Sequence, residues 1–240
     1  MENQKTVAIH QPNFLPWLGY FHKMVHSDVF ILFDDVQFPR GKTFGNRVLI
    51  KTPNGESWLT IPVQGKGDLL LFNQIEISDL TWLKKAIRTI QVCYSKAPHY
   101  KEVFPGLEDI FSRRFQRLYE LNISLIEYLV KILGIKTIIT SSSAIKTDTN
   151  DQPPGKIIDL ILSVGANQYI SGKGEGSKRY LDENVFREKR IKLIWQDFQH
   201  PEYKQLYGEF IPNLSIIDMV FMEGPEKTLE ILKNIRISSQ

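Results

Sequence analysis

A chain of 240 residues, 42% hydrophobic and 24% charged, has the balance of a folded globular protein, not of a disordered, collagenous or coiled-coil one. Its 30 Lys and Arg against 27 Asp and Glu leave a net charge of +3. The densest basic clusters, Arg113-Arg114 with Arg117 and Arg187 to Lys192, form no contiguous stripe, so nucleic acid is excluded as a partner. No apolar run reaches the ~20 residues that cross a bilayer, and the single Cys93 closes no internal disulfide and builds no cysteine-based zinc site. No signal-peptide core precedes the first strand-like run, which makes the cytoplasm the expected compartment.

In chain order, residues 7–10 read as a strand and 16–26 as the helix that follows it; 29–35 is a second strand. An insertion comes next. Residues 46–52 and 57–63 flank Pro53-Asn54-Gly55-Glu56, which predicts a hairpin with a four-residue connection. Helical residues 80–94 lead into a stretch over 105–133 whose Leu107, Ile110, Phe111, Phe115, Leu118, Leu121, Leu125, Leu129 and Leu133 recur at about 3.6 residues, as two helices or one long one facing a core. Residues 137–140 form the third core strand, and 157–164 a helix entered through Asp151 and Pro153-Pro154. Then come a strand at 168–171, a helix at 181–189, a strand at 192–195 and a closing helix at 225–234. Most of these strands lack clean alternation, as strands covered on both faces do. The order predicts an α/β fold: a doubly wound, mostly parallel five-stranded sheet with right-handed crossovers. Residues 1–45 and 135–240 form its core, and 46–134 an inserted β-hairpin and helical lobe.

Open parallel sheets bind ligands beyond the carboxyl ends of their strands, so the residues there carry the functional expectations. The first strand ends in His10-Gln11-Pro12-Asn13: His10 is a candidate acid or base, Gln11 and Asn13 offer polar tips, and the helix starting near Pro16 presents N–H groups suited to an anion. Tyr20, on that helix, either packs inward or touches substrate. The second strand ends in Asp34-Asp35, carboxylates able to act in catalysis or to hold Mg²⁺ or Mn²⁺ beside a diphosphate, although alternation turns only one of them to the crevice while the strand continues. Asn46 and Arg47 open the hairpin, where the arginine forks onto a phosphate or bridges to an aspartate. Ser141-Ser142-Ser143 follows the third strand with hydroxyls and N–H groups for phosphate or sugar. After the fourth strand, Ser171, Gly172, Lys173 and Gly174 open a tract with glycines at alternate positions, which allows close backbone approach to a ligand but matches neither a Walker nor a dinucleotide fingerprint. The fifth strand leads into a long polar loop holding Gln199, His200, Tyr203 and Gln205, with His200 a second candidate acid or base. Asp218, inside an apolar run, caps a helix or orients a ligand group, because a carboxylate is costly to bury unpaired.

The run Ile9-His10-Gln11-Pro12-Asn13-Phe14-Leu15-Pro16-Trp17-Leu18-Gly19-Tyr20-Phe21 resembles the opening signature of the WbqC-like family. The likeness continues through Phe33-Asp34-Asp35-Val36-Gln37-Phe38, Asn46-Arg47, Trp58-Leu59-Thr60-Ile61-Pro62-Val63, Ser141-Ser142, Gly165-Ala166-Asn167-Gln168-Tyr169-Ile170-Ser171-Gly172, Tyr180-Leu181-Asp182 and Leu214-Ser215-Ile216-Ile217-Asp218. That family is associated with bacterial surface-polysaccharide and O-antigen gene sets and carries no assigned family-wide reaction. The resemblance adds Tyr180 to the substrate contacts. A weaker likeness, to nucleotidyltransferases with an H-x-G-H signature, meets Trp17-Leu18-Gly19-Tyr20 here, without either histidine, and implies a Rossmann-like fold alone. The expectation is a transferase of surface-polysaccharide biosynthesis that takes a phosphate-bearing or nucleotide-linked sugar, by glycosyl, acyl or aminoacyl transfer. The alternative is a non-catalytic binding or scaffolding partner of a glycan-assembly enzyme. The geometry it requires is that His10, the two aspartates, the serines and the glycine tract meet in one cavity.

Overall fold

In the computed structural model, which describes residues 4–65, 67–147, 154–174 and 181–237, β1 (Thr6–His10) leads through α1 (Leu18–Val25) to β2 (Val29–Leu32). The segment between β2 and the next strand of the sheet, read above as an insertion, holds β3 (Arg47–Thr52), β4 (Gly55–Thr60), β5 (Val63–Gln64), β6 (Glu76–Ile77), α2 (Trp82–Tyr94), α3 (Tyr100–Ser112) and α4 (Leu118–Leu133). The core resumes with β7 (Ile138–Ser141), α5 (Gly155–Ser163), β8 (Gln168–Gly172), α6 (Glu183–Glu188) and β9 (Lys192–Gln196), and closes with α7 (Ile216–Glu223) and α8 (Pro225–Asn234).

Five strands pair in the order β7-β2-β1-β8-β9, all parallel, in registers such as His10 with Leu32, Val7 with Tyr169 and Ile170 with Ile194. This is the doubly wound, Rossmann-like α/β sheet read from the sequence. Both faces are covered, which explains the missing alternation. Val7, Ile9, Val29, Ile31 and Phe33 pack against Ile157, Leu160 and Ile161 of α5 and Phe186 of α6. Ala8, Phe30, Leu32 and Ile170 turn the other way, toward Leu18, Phe21 and Met24 of α1. The helices that follow β1 and β8 therefore lie on opposite faces. Their departure in opposite directions opens a crevice between these two strands at their carboxyl ends, the topological switch point of such a sheet.

The α1-side cluster runs unbroken into the insertion through Val48, Ile50, Leu59, Leu107, Leu121 and Leu125. Full burial of each such side chain stabilises by about 1.5–3 kcal/mol. In α4 the apolar stripe Leu118, Leu121, Leu125, Leu129, Leu133 is buried, and Gly134, at a φ of 68°, ends the helix in a left-handed cap. The stretch over 105–133 is two helices, but the first begins at Tyr100, with Pro105 inside it. Buried Val103 and Phe104 extend the apolar stripe backward, and their packing outweighs the backbone bond that proline removes. The hairpin also differs from expectation. Thr52 pairs with Gly55, so the connection is the two residues Pro53-Asn54, and Gly55 takes a φ of 103° that glycine adopts without strain. Past Thr60 the chain leaves β4, and Val63 pairs with Ile77 in a separate ribbon.

Candidate functional site

The turn from β1 into α1 is held from three distant segments. Asn122 of α4, fully buried, donates to Pro12 O at 2.7 Å and Gly45 O at 2.8 Å. Phe14 N–H donates to Phe44 O at 3.0 Å, Ser215 Oγ to Leu15 O at 2.7 Å, and Ile216 N–H to Pro16 O at 2.9 Å. These bonds keep the buried Leu15 at a φ of 40°, a left-handed conformation that costs a leucine about 1–2 kcal/mol. Trp17 then folds its ring over Gly19, where a Cβ would stand 2.2 Å from the indole. Only glycine allows that approach.

Above this turn a cavity of about 670 Å³ opens between β1 and β8, lined by His10, Asn13, Trp17, Lys23, Phe44 and the backbone and side chains of Ser171, Gly172, Lys173 and Gly174. A more open hollow of about 420 Å³, at Glu183, Arg187, Arg190 and Lys192, sits where β9 begins, at the wrong end of a parallel sheet for a ligand. In the larger cavity His10 donates from Nδ1 to Gln11 O at 3.1 Å, which leaves Nε2 as an acceptor. Burial, helped by the Lys23 charge, pushes its imidazole down to about 3, so it is neutral at pH 7. Its ring meets Tyr20 edge-on at 4.9 Å; the Tyr20 hydroxyl is buried without a partner among the described residues. Lys23 is 4% exposed, and burial alone drives its amine down to about 7. On the rim, Lys173 pairs with Asp197 at 3.0 Å. Phe44, 48% exposed, stands 6.0 Å from the 43% exposed Trp58, and the Arg47 guanidinium lies 4.0 Å above the indole.

Under the cavity Gln196 donates from Nε2 to Gly19 O and to His22 Nδ1, both at 2.8 Å. His22 therefore carries its proton on Nε2 and donates to Ile235 O, a neutral tautomer in keeping with an imidazole that burial lowers to about 4.

The two aspartates and the serines meet one another beside the cavity, not in its lining. Asp34, 1% exposed, accepts from Ser143 N–H at 3.0 Å, Ser143 Oγ at 2.6 Å and Asn73 Nδ2 at 3.3 Å. The Ser142 hydroxyl lies 2.9 Å from Asp34 Oδ1 and 2.5 Å from Asp35 Oδ1, and accepts from Asp34 N–H. Asp35 also pairs with Lys156 of α5 at 2.8 Å. The strand ends at Leu32, so its alternation does not govern the pair, and the Ser142 hydroxyl reaches both carboxylates. The arrangement fastens the end of β2 to the exit of β7; Ser141 joins it by a 2.7 Å bond to Tyr119. No group of three or more metal-ligating side chains occurs among the described residues.

A third group forms around the loop after β9. His200 stacks near Tyr203 and Phe210, gives Nδ1 to Pro201 O, and buries Nε2 without a partner among the described residues. Tyr203 donates to Asp218 Oδ2 at 2.9 Å. Asp218 is fully buried in the first turn of α7, and desolvation raises it to about 6 against the opposing pull of Tyr203, Tyr94 and Lys51. Lys51, 1% exposed, donates to Gln205 and to Glu209 O. Phe198, between Trp17 and His200, separates this group from the cavity. Gln11 is half-buried and Gln199 exposed, while Asn46 is buried and donates to Ile61 O at 2.9 Å. Tyr180 and the rest of the glycine tract, 175–178, lie outside the described residues.

Of the expected constellation, His10, Asn13 and the opening of the glycine tract share one cavity, and the acids and serines form a neighbouring cluster. Sequence reading missed Lys23, Phe44 and Asn122. Lys23 sits in an α1 with seven of its eight residues buried, so the helix gives it no solvated face, a property of the packing that the sequence does not show.

A model of the WbqC-like protein family matches residues 11–230. The uncharacterized protein Rv1507c of Mycobacterium tuberculosis is 35% identical over 225 residues, covering 92% of this chain and 95% of that protein. No solved structure matches.

Proposed function

The chain belongs to the WbqC-like protein family, and on that premise we propose that it is a cytoplasmic transferase of bacterial surface-polysaccharide (O-antigen) assembly. Its substrate is a nucleotide-activated sugar or amino sugar held between β1 and β8. One observation carries this reading: the cavity at the switch point gathers His10, Asn13 and Ser171 to Gly174, the address at which doubly wound sheets take such ligands. The chemistry of the lining fits. Phe44 of the lining is 48% exposed, and Trp58, outside the lining, stands 6.0 Å from it with the Arg47 guanidinium over its ring, aromatic surface against which a sugar or base stacks. A Cβ at Gly172 or Gly174 would meet nothing within 4 Å, which leaves room for a ligand against the backbone. His10 Nε2 accepts a hydrogen bond from the hydroxyl or amine that receives the transferred group. Asp34, Asp35 and the serines act from outside, by fixing the strand ends that shape the crevice.

The test is a thermal-unfolding screen of the protein with nucleotides and nucleotide sugars, with and without Mg²⁺. A nucleotide sugar raises the midpoint of the wild type, and the rise is lost in His10→Ala and Trp58→Ala. A panel without any shift, combined with a glycan-assembly enzyme that binds over the crevice, would replace the transferase by a scaffold.

A further inference from the structure

We propose that Lys23 is the anion anchor of the β1–β8 cavity, its ammonium holding a phosphate group of the bound substrate. The inference rests on the reading of this cavity as the substrate site and names the group that makes a phosphate necessary there. Lys23 lines the cavity at 4% exposure and has no hydrogen bond or ion pair among the described residues. Buried lysines are ordinarily paired. The other charged groups of the lining are Lys173 and Asp197, joined to each other at 3.0 Å, and the nearby His10 is neutral. Among the described residues the lining thus holds a buried amine with no acidic partner of its own, and its proton affinity is depressed accordingly, to about 7. An arriving phosphate supplies the missing charge.

Direction and surroundings agree with this. Helical side chains slant toward the N-terminus of their helix, so Lys23, near the end of α1, reaches back toward the turn that opens the cavity. Trp17, at that turn, starts the helix without a side-chain cap, so first-turn N–H groups and the ammonium favour negative charge from the same side. A lysine ammonium acts as a point charge, suited to phosphate.

Titration calorimetry of the whole protein with inorganic pyrophosphate, UDP, N-acetylglucosamine 1-phosphate and uncharged N-acetylglucosamine tests the assignment. The phosphate-bearing probes bind the wild type, and Lys23→Met weakens them by about tenfold or more. Lys23→Arg retains part of the affinity, and Lys131→Met, on the exposed side of α4, retains all of it. Circular dichroism of Lys23→Met shows the wild-type fold. The proposal is overturned if Lys23→Met binds pyrophosphate and UDP as the wild type does, or if the wild type binds none of the phosphate-bearing probes. Lys23-dependent pyrophosphate binding without affinity for any nucleotide sugar would leave the anchor standing and remove the glycan-transferase reading. Nucleotide-sugar binding indifferent to Lys23 would do the reverse.

Discussion

Lys23 and His10 illustrate how burial, more than residue type, sets what a side chain does. Both face one cavity, and both lose affinity for a proton because water is excluded. For Lys23 the consequence for stability has a definite sign. Its amine titrates near 7 in the folded chain and at 10.5 when unfolded, so above about pH 7 the unfolded chain binds more protons and stability climbs with pH. The climb continues until the buried tyrosines, raised by desolvation, begin to oppose it near their unfolded value of 10.0. Chemical denaturation at pH 7 and pH 9 should show the wild type more stable at the higher value. Lys23→Met should be the more stable protein at pH 7 and should lose most of the climb. A methionine variant that is less stable at pH 7 would mean that the amine is compensated. Little of this was legible in the sequence, because a lysine in Leu18–Val25 is read as solvated until the packing of α1 against both β1 and α8 is known.

At the scale of elements, the β1–α1 turn is a device made from four parts of the chain. Its polar and proline-rich composition was legible, as were its place at a strand end and its neighbourhood to the glycine tract. Its clamps were not, since Asn122 is 110 residues from the Pro12 carbonyl it bonds. Asparagine within a helical stripe gives no sequence signal for such a reach. Asn122→Ala leaves two carbonyls and their loop unheld and should cost about 1–3 kcal/mol in urea unfolding, with the leucine at φ 40° relaxing and ligand affinity falling together. Wild-type stability and binding in that variant would show that the turn holds itself. The Asp34–Asp35 pair was legible as a feature of the second strand's end, but its work was not. β2 ends at Leu32, so alternation does not divide the two carboxylates, which share the Ser142 hydroxyl, and their further partners, Ser143, Asn73 and Lys156, come from segments that no local pattern connects.

For the whole molecule, the alternation of apolar runs and helical stretches carried the doubly wound, five-stranded parallel sheet, because the βαβ crossover has one favoured hand and few arrangements survive it, while the strand order β7-β2-β1-β8-β9 came from the structure. The insertion was harder to read. Its helices pack into the same apolar cluster as α1 and one sheet face, so the start of α3 and the short hairpin turn answer to tertiary packing, not to local punctuation by proline and glycine. The same continuity explains why a helix of the insertion can hold the turn on which the cavity stands. Co-crystallisation with UDP-N-acetylglucosamine tests the account most directly. It predicts the diphosphate beside Lys23 and the sugar or base against Phe44 and Trp58, between the carboxyl ends of β1 and β8. Density at the Arg187–Lys192 hollow, or at the aspartate and serine cluster with the cavity left empty, would contradict it.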